Sequence, residues 1–527
     1  MKSLALSWRH LSIGLSGALL SLAFLPLDLW WDSPLSKTFL SFFPCVALVP
    51  LFYGWSKEDN PRAAFLLGFV FGLGLFTAGA YWVFISMTTF GGMPSVVAVF
   101  FLALLIAYLS LYPACVGYLG ARGFHATTRL VALPALWGIF ELMRGTLFSG
   151  FPWLSLGYTQ TAEMPLTGTT PIGGVYLTGI VIAAITASLI VVFKASRLPT
   201  KIMAAGMVVM MTLGNVLLAR MDWTTPMESS LSVSLVQGNI AQDIKFLPSV
   251  KDETYTLYGD LAQKSQGQLI LLPESAFPDF LDAVPEETMD RFARMVAEKN
   301  ATILLGVFTY EKNPKTSRDE YYNSMISLGS GAAELYRKRH LVLFGEKIPF
   351  ESVIAPIMNA LISIPLAGQN AGEDDQPPFT VGNQKIAVSI CFEDAFGSEQ
   401  RDRVLQSTLL ANFTNDAWFG HSIAAWQHHR IATLRALESA RPMLRVTNTG
   451  VTSIINHKGQ TLARLPWFTR DVLESDVIGR IGFTPYLKWG DALPFAFALL
   501  VLLWAGCGQM RWGKPRTENS THETRST

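Results

Sequence analysis

Charge is scarce in this sequence. Only 15% of its 527 residues are Asp, Glu, Lys or Arg, well below the quarter usual for a soluble protein. The 41 basic residues nearly cancel the 40 acidic ones, leaving a net charge of +1. Without a basic excess there is nothing to neutralise the phosphates of a nucleic acid, so a nucleic-acid-coating role is excluded. With half of the residues hydrophobic, a disordered or collagen-like chain is excluded as well. Cysteine is also rare: Cys45, Cys115, Cys391 and Cys507 are the four in the chain. The length exceeds one ordinary domain, so at least two units are expected.

The missing charge is concentrated in the first 220 residues. Apolar stretches near Leu11–Trp31, Thr38–Trp55, Ala63–Ile85, Ser95–Leu119, Leu130–Leu147, Gly173–Phe193 and Met203–Leu218 are each of the order needed to cross a bilayer. An eighth follows near Ala492–Gly508. Basic residues fall in alternate loops: Lys2 and Arg9, Lys57 and Arg62, Arg122 and Arg129, then Lys194, Arg197 and Lys201, with Arg511, Lys514 and Arg516 in the tail. The opposite loops offer little beyond Lys37 and Arg144. The positive-inside rule then places both termini in the cytoplasm and the region between the seventh and eighth spans outside. Glu141 and Arg144 lie in the fifth stretch, spaced to share a helix face, and read as a mutually neutralising pair near the outer interface. The glycines from Gly68 to Gly79 read as close helix packing.

Between about Arg220 and Leu487 the character changes. Strands are expected at Leu231–Val236, Gln268–Leu272, Thr302–Thr309, Asn323–Leu328, Lys385–Ile390, Thr408–Asn412 and Leu444–Asn448, with helices at Glu286–Glu298 and Ala424–Ala440. Val451–Ile455 and Gln460–Leu465 read as a hairpin. Such interleaving indicates one α/β domain. The domain division expected is 1–220 for a membrane domain, 221–486 for an external catalytic domain, 487–510 for a returning helix and 511–527 for a polar cytoplasmic tail.

Cys391 has no partner cysteine in the external region, which makes it a buried small hydrophobe or a nucleophile. It ends the apolar strand Ile386–Ile390, where a sharp turn would project the thiol and leave the next N–H groups free for an oxyanion. Glu274 follows the apolar run Leu269–Pro273, and Lys338 lies in a basic stretch, Leu335–Val342. An acid, an ammonium and a thiol at separate strand ends would meet on one rim of a sheet. In this order they resemble the Glu–Lys–Cys triad of the nitrilase superfamily. The resemblance narrows to the apolipoprotein N-acyltransferase family through Val236-Gln-Gly-Asn-Ile240, Leu272-Pro-Glu-Ser275, Tyr336-Arg-Lys-Arg-His-Leu-Val342, Phe344-Gly-Glu346 and Cys391-Phe-Glu393. It extends through Asn415-Asp-Ala-Trp-Phe-Gly420, Trp426-Gln-His428, Arg445-Val-Thr-Asn-Thr-Gly450 and, in the membrane half, Glu141-Leu-Met-Arg144 with Gly150-Phe-Pro-Trp153. Two positions depart from it: Phe246 stands where that family often has Trp, and Phe392 where Tyr is common.

The resemblance implies a membrane bundle of about eight spans carrying an external nitrilase-like α-β-β-α sandwich in a bacterial inner membrane. It also implies ping-pong acyl transfer from a phospholipid to a diacylated lipoprotein. Glu274 would be the base, Lys338 the oxyanion stabiliser and Cys391 the nucleophile, with Glu346 and Glu393 accessory and no cofactor or metal. His421, His428 and His429 cluster in the sequence, but no acid or cysteine completes a zinc spacing beside them. Val353–Ala367 reads as a core helix or as an arm dipping into the outer leaflet. Asn519 heads a glycosylation-type triplet in the tail, which reads as cytoplasmic. A membrane-tethered amidase and a non-catalytic membrane scaffold are the competing readings.

Overall fold

The computed structural model describes residues 7–26, 33–313, 317, 319–329, 331, 333–348 and 368–512. Val353–Ala367 and the tail from Pro515, with Asn519, lie outside them. Among the described residues six helices are long and apolar enough to cross a membrane: α2 (Pro34–Lys57), α3 (Pro61–Gly79), α4 (Ser95–Gly123), α5 (Ala126–Arg144), α6 (Thr170–Lys194) and α7 (Leu198–Ala219). The shorter α1 (Trp8–Ser21) packs on α3 and α2. Two glycines set how closely α3 is held. A Cβ on Gly68 would sit 2.3 Å from the Pro113 carbonyl of α4, and one on Gly74 would sit 2.0 Å from the Gly14 carbonyl of α1. Backbones meet there, as small residues permit in lipid.

The third span is shorter than the sequence indicates. α3 stops at Gly79 instead of running to Ile85, and a brief helical turn, Trp82–Ile85, and a wide turn, Ser86–Phe90, follow. The Gly79 carbonyl accepts Gln427 Nε2 at 3.0 Å, so a side chain from the second half of the chain takes up a helix-end acceptor.

The domain that follows α7 is two stacked six-stranded sheets. The first runs β12-β1-β2-β3-β4-β5 and the second β11-β10-β9-β8-β7-β6. In chain order, the first comprises β1 (Thr224–Gln237), β2 (Leu269–Leu271), β3 (Thr302–Lys312), β4 (Asp319–Leu328) and β5 (Leu335–Arg337), and β12 (Asp471–Gly482) returns to pair with β1. The second comprises β6 (Phe379–Val381), β7 (Gln384–Ile390), β8 (Leu409–Thr414), β9 (Met443–Thr447) and the hairpin β10 (Ser453–Ile455) and β11 (Thr461–Arg464). Alternate residues of the two sheets, among them Val233, Leu235, Leu304, Ile386, Val388 and Leu444, face one another in a single apolar core. On the outer faces, α8 (Pro248–Lys264) and α9 (Glu286–Lys299) cover the first sheet, while α10 (Gly397–Leu405) and α11 (Ala424–Ser439) cover the second. The order of layers is the expected α-β-β-α. The short α12 (Pro485–Trp489) and the longer α13 (Ala492–Trp512) lead back, and α13 packs on α5 and α6.

Helix α11 joins the two halves. Its apolar residues, such as Ala432 and Ala436, pack on the second sheet, and its opposite face is polar yet buried against membrane elements. Arg430 donates to the carbonyls of Ala23 at 2.5 Å, Thr159 at 3.2 Å and Leu25 at 2.6 Å. Arg435 Nη2 donates to the Tyr158 hydroxyl at 3.0 Å, and Glu438 Oε1 accepts the Val175 N–H at 2.8 Å. Helix ends and loops of the bundle thus find their partners on the catalytic domain. Arg430→Met removes the donor from three carbonyls and is expected to destabilise the protein by about 3 kcal/mol. Thermal unfolding in detergent micelles checks this, with the melting midpoint falling by several degrees.

Candidate active site

The site forms where strands of both sheets end. Cys391 follows β7 directly and adopts φ +53°, a left-handed conformation uncommon for a residue with a Cβ. It opens the short turn Cys391–Ala395, so the chain reverses at the thiol as the sequence indicates. Glu274 lies three residues beyond β2, and Lys338 directly follows β5. Glu274 and Lys338 come from the first sheet and Cys391 from the second, and the stacking of the sheets brings the thiol within electrostatic reach of both charges. Lys338 Nζ lies 3.7 Å from Glu274 Oε1, and both groups are buried.

Each charge is held on more than one side. Glu274 Oε1 accepts Asn323 Nδ2 at 2.8 Å, and Oε2 accepts the Asn415 N–H at 2.8 Å. That leaves the carboxylate fixed in place between two sheets. Lys338 Nζ donates to Glu346 Oε1 at 2.6 Å, while Glu346 Oε2 accepts the Val342 N–H at 2.9 Å. Burial alone would lower the Lys338 pKa, but Glu346 and Glu274 outweigh it, so the ammonium is held well above its ordinary value. Cys391 behaves in the opposite way. Burial and the neighbouring Glu274 charge push its thiol well above 9.0, against Lys338 and a hydrogen bond from Thr414. The resting site therefore holds a neutral thiol beside a carboxylate and an ammonium, arranged for proton transfer at the moment of attack rather than for a standing thiolate.

The two accessory carboxylates have different positions. Glu346 touches Lys338 itself. Glu393 is fully engaged with the protein: Oε1 accepts the N–H groups of Arg339 at 2.7 Å and His340 at 3.1 Å, and Oε2 accepts that of Ile390 at 2.6 Å. The Tyr336 hydroxyl donates to it at 2.9 Å. Glu393 thus ties the strand end carrying Lys338 to the turn carrying Cys391.

The Cys391 turn lies against the membrane half. Trp153 packs 5.8 Å from Phe392, 5.3 Å from Trp82 and 5.4 Å from His428, ring centre to ring centre. Its indole N–H donates to Gln427 Oε1 at 2.6 Å. Ser149 Oγ lies 3.2 Å from His340 Nε2, on the loop that follows α5. Glu141 and Arg144 do more than neutralise each other, for they are 3.9 Å apart while Arg144 donates to the carbonyls of Phe151 at 2.7 Å and Trp153 at 2.5 Å. Glu141 Oε1 accepts the Leu156 N–H at 2.7 Å. The pair shapes the loop that sets Trp153 beside the Cys391 turn. Phe392 also meets Phe396 and His340, and Phe246 lies 6.3 Å from Phe308.

The three histidines do not converge. His428 lies between Asp394 and Asp416, His429 Nε2 meets Ser453 Oγ at 3.1 Å, and His421 stacks on Phe468 at 3.7 Å. Among the described residues no His, Cys, Asp and Glu groups are placed to hold a metal ion.

Several site residues escape a reading by spacing. Asn323 is mid-strand in β4, and Asn412, Thr414 and Arg445 alternate with apolar residues on β8 and β9. Lys245 is fully buried, donates to the Glu274 carbonyl at 3.2 Å and has its pKa pushed down to about 8 by burial, against the Glu274 charge. The available signal was a polar residue inside an otherwise apolar strand, which a core accepts only when its hydrogen bonds are met.

The sequence matches two family models, the apolipoprotein N-acyltransferase N-terminal domain over residues 16–188 and carbon-nitrogen hydrolase over residues 232–486. An apolipoprotein N-acyltransferase of Nitrosomonas europaea is 40% identical over 87% of this chain and 91% of its own length. One of Methylococcus capsulatus is 37% identical over 90% of this chain and 91% of its own. Among solved structures, a mutant form of the amidase from Nesterenkonia sp. AN1 is 15% identical, with a TM-score of 0.34 over 50% of this chain and 97% of that one. By its identity and coverage against the curated relatives, the chain belongs to the apolipoprotein N-acyltransferase family.

Proposed function

We propose that this protein transfers a fatty acyl chain from a membrane phospholipid, through a thioester on Cys391, to the N-terminal α-amine of a diacylglyceryl-cysteine lipoprotein. The observation that carries this reading is the position of the thiol turn: it packs on Trp153 in a loop of the membrane bundle, where a lipid ester can reach it. An amidase acting on a small soluble substrate has no use for that placement, and a scaffold has none for a buried acid, ammonium and thiol. The proposed arrangement puts residues 1–220 in the bacterial inner membrane, 221–486 on its outer side, 487–510 across it again and 511–527 in the cytoplasm, following the basic loops.

In the first half-reaction Glu274 takes the thiol proton as Sγ attacks the ester carbonyl. The new oxyanion is met by the Lys338 ammonium and by backbone N–H groups after Cys391. The ester C–O bond breaks, and the proton on Glu274 passes to the leaving lysophospholipid oxygen. In the second half the acceptor amine attacks the thioester, Glu274 takes an amine proton, and the C–S bond breaks to give an amide and the restored thiol. Every proton moved is carried by a group already in the site.

Intact-mass measurement of the protein in phospholipid micelles tests this. The expected result is one acyl mass on Cys391 that disappears when a diacylated lipopeptide is added. An unmodified protein in every phospholipid tried overturns the mechanism. In the same assay Glu346→Gln is expected to slow adduct formation roughly 10- to 100-fold, because Lys338 loses the charge that holds its ammonium in line.

A further inference from the structure

The Cys391 carbonyl has two protein donors that the proposed chemistry does not use. Asn412 Nδ2 lies 3.1 Å from it and His428 Nε2 lies 3.2 Å from it. The same Nε2 is 3.0 Å from Asp394 Oδ1, and Nδ1 is 2.8 Å from Asp416 Oδ1. Both ring nitrogens face acceptors, so both must carry a proton, and the ring is an imidazolium. The groups around it come from every adjoining element: Asp394 from the nucleophile turn, Asp416 from the turn after β8, and Arg445 from β9, at 3.0 Å from Asp416 Oδ2. Two carboxylates and two cations make a neutral quartet, which makes its burial tolerable. The wall beyond it is Trp153.

We propose that His428 is a positioning residue for the nucleophile, a two-donor imidazolium that anchors the Cys391 carbonyl and so maintains the left-handed turn that presents the thiol. A positive φ on a residue with a Cβ is unfavourable on its own and persists only where the surroundings enforce it. His428 and Asn412 supply that constraint from two directions. Through Asp416, His428 is also linked to Thr414, whose Oγ1 donates to Asp416 Oδ1 at 3.2 Å. Although burial favours a neutral ring, Asp394 and Asp416 hold the His428 pKa up to about 9, in keeping with the donor geometry.

The inference rests on the thioester reading, and wild-type protein separates the two. An absence of any adduct on wild-type Cys391 overturns that reading whatever His428 does. Given the adduct, single-turnover acylation is compared in wild type, His428→Gln, Asn412→Ala and the double variant. His428→Gln is expected to slow acylation roughly 10- to 100-fold, with the half-saturating phospholipid concentration unchanged within about twofold. The double variant is expected to lose less than the product of the two single losses, because both side chains hold one carbonyl. A folded His428→Gln protein with full rate, a loss confined to half-saturation, or strictly multiplicative losses would each overturn the proposal. If His428→Gln does not fold, the wild-type protein decides. Its acylation rate must fall as pH rises through about 9, where the imidazolium loses its proton. The same limb must appear in Lys245→Met, which removes the other buried group titrating nearby. A rate rising steadily to about pH 10 overturns the proposal.

Discussion

Cys391→Ser is expected to yield a folded protein that gains no acyl mass, a loss of at least about 10^4-fold in adduct formation. The exchange is almost isosteric and retains a group able to bond with Thr414, so the turn and its anchors survive. What disappears is the chemistry. Glu274 can accept a thiol proton as attack proceeds, but a hydroxyl is far more weakly acidic. Intact-mass time courses in phospholipid micelles read the effect directly, with the midpoint of thermal unfolding as the control for folding. Adduct formation at an undiminished rate would place the nucleophile elsewhere, at Cys45, Cys115 or Cys507.

Glu274→Gln carries the second large effect, a loss of about 10^3-fold in acylation. The amide cannot accept the thiol proton. It also places an NH2 group against either Asn323 Nδ2 or the Asn415 N–H, both of which are donors to the native carboxylate. The thiol's own acidity moves in the opposite direction. The Glu274 charge raises the Cys391 pKa, so removing it lowers that pKa and increases the thiolate present at a given pH. Alkylation of Cys391 by iodoacetamide should therefore reach its midpoint at a lower pH in Glu274→Gln than in wild type, even as acylation collapses. This divergence identifies a base. If acylation and alkylation fell together, Glu274 would be shaping the pocket rather than moving a proton.

The parts of this protein that could be read from its sequence are those governed by local rules. A run of apolar residues long enough for a bilayer needs no tertiary partner to be recognised, and α4, α6 and α7 fall within a few residues of their expected limits. Period-two and buried-run patterns located β3, β7, β8 and β9, because each strand's apolar face reports its own burial. The proposed catalytic trio drew attention for another reason. Glu274, Lys338 and Cys391 each sit where an apolar strand gives way to a reactive side chain, and their order resembles a family pattern.

Non-local pairing is where that legibility ended. β12 joins β1 across more than two hundred residues, and no local pattern announces it. The end of α3 at Gly79 finds a donor in Gln427, a residue from the other half of the chain. On α11, His428, Arg430, Arg435 and Glu438 have the composition of a solvated helix face, yet all are buried, because the bundle's helix ends and loops lie against them. Glu141 and Arg144 read as a pair because they are one turn apart, but the loop backbone they grip comes only with the fold.

The low charge of the sequence and its long apolar runs determined by themselves that much of the chain belongs in lipid. Bilayer thickness and the cost of burying charge act on each segment separately. Hydrogen bonds and ion pairs are satisfied by whichever groups lie nearby in space, regardless of their separation in sequence. That is why only the tertiary structure decided where the scarce charges went: Glu346 onto Lys338, Asp394 and Asp416 onto His428, and Arg430 onto the membrane bundle.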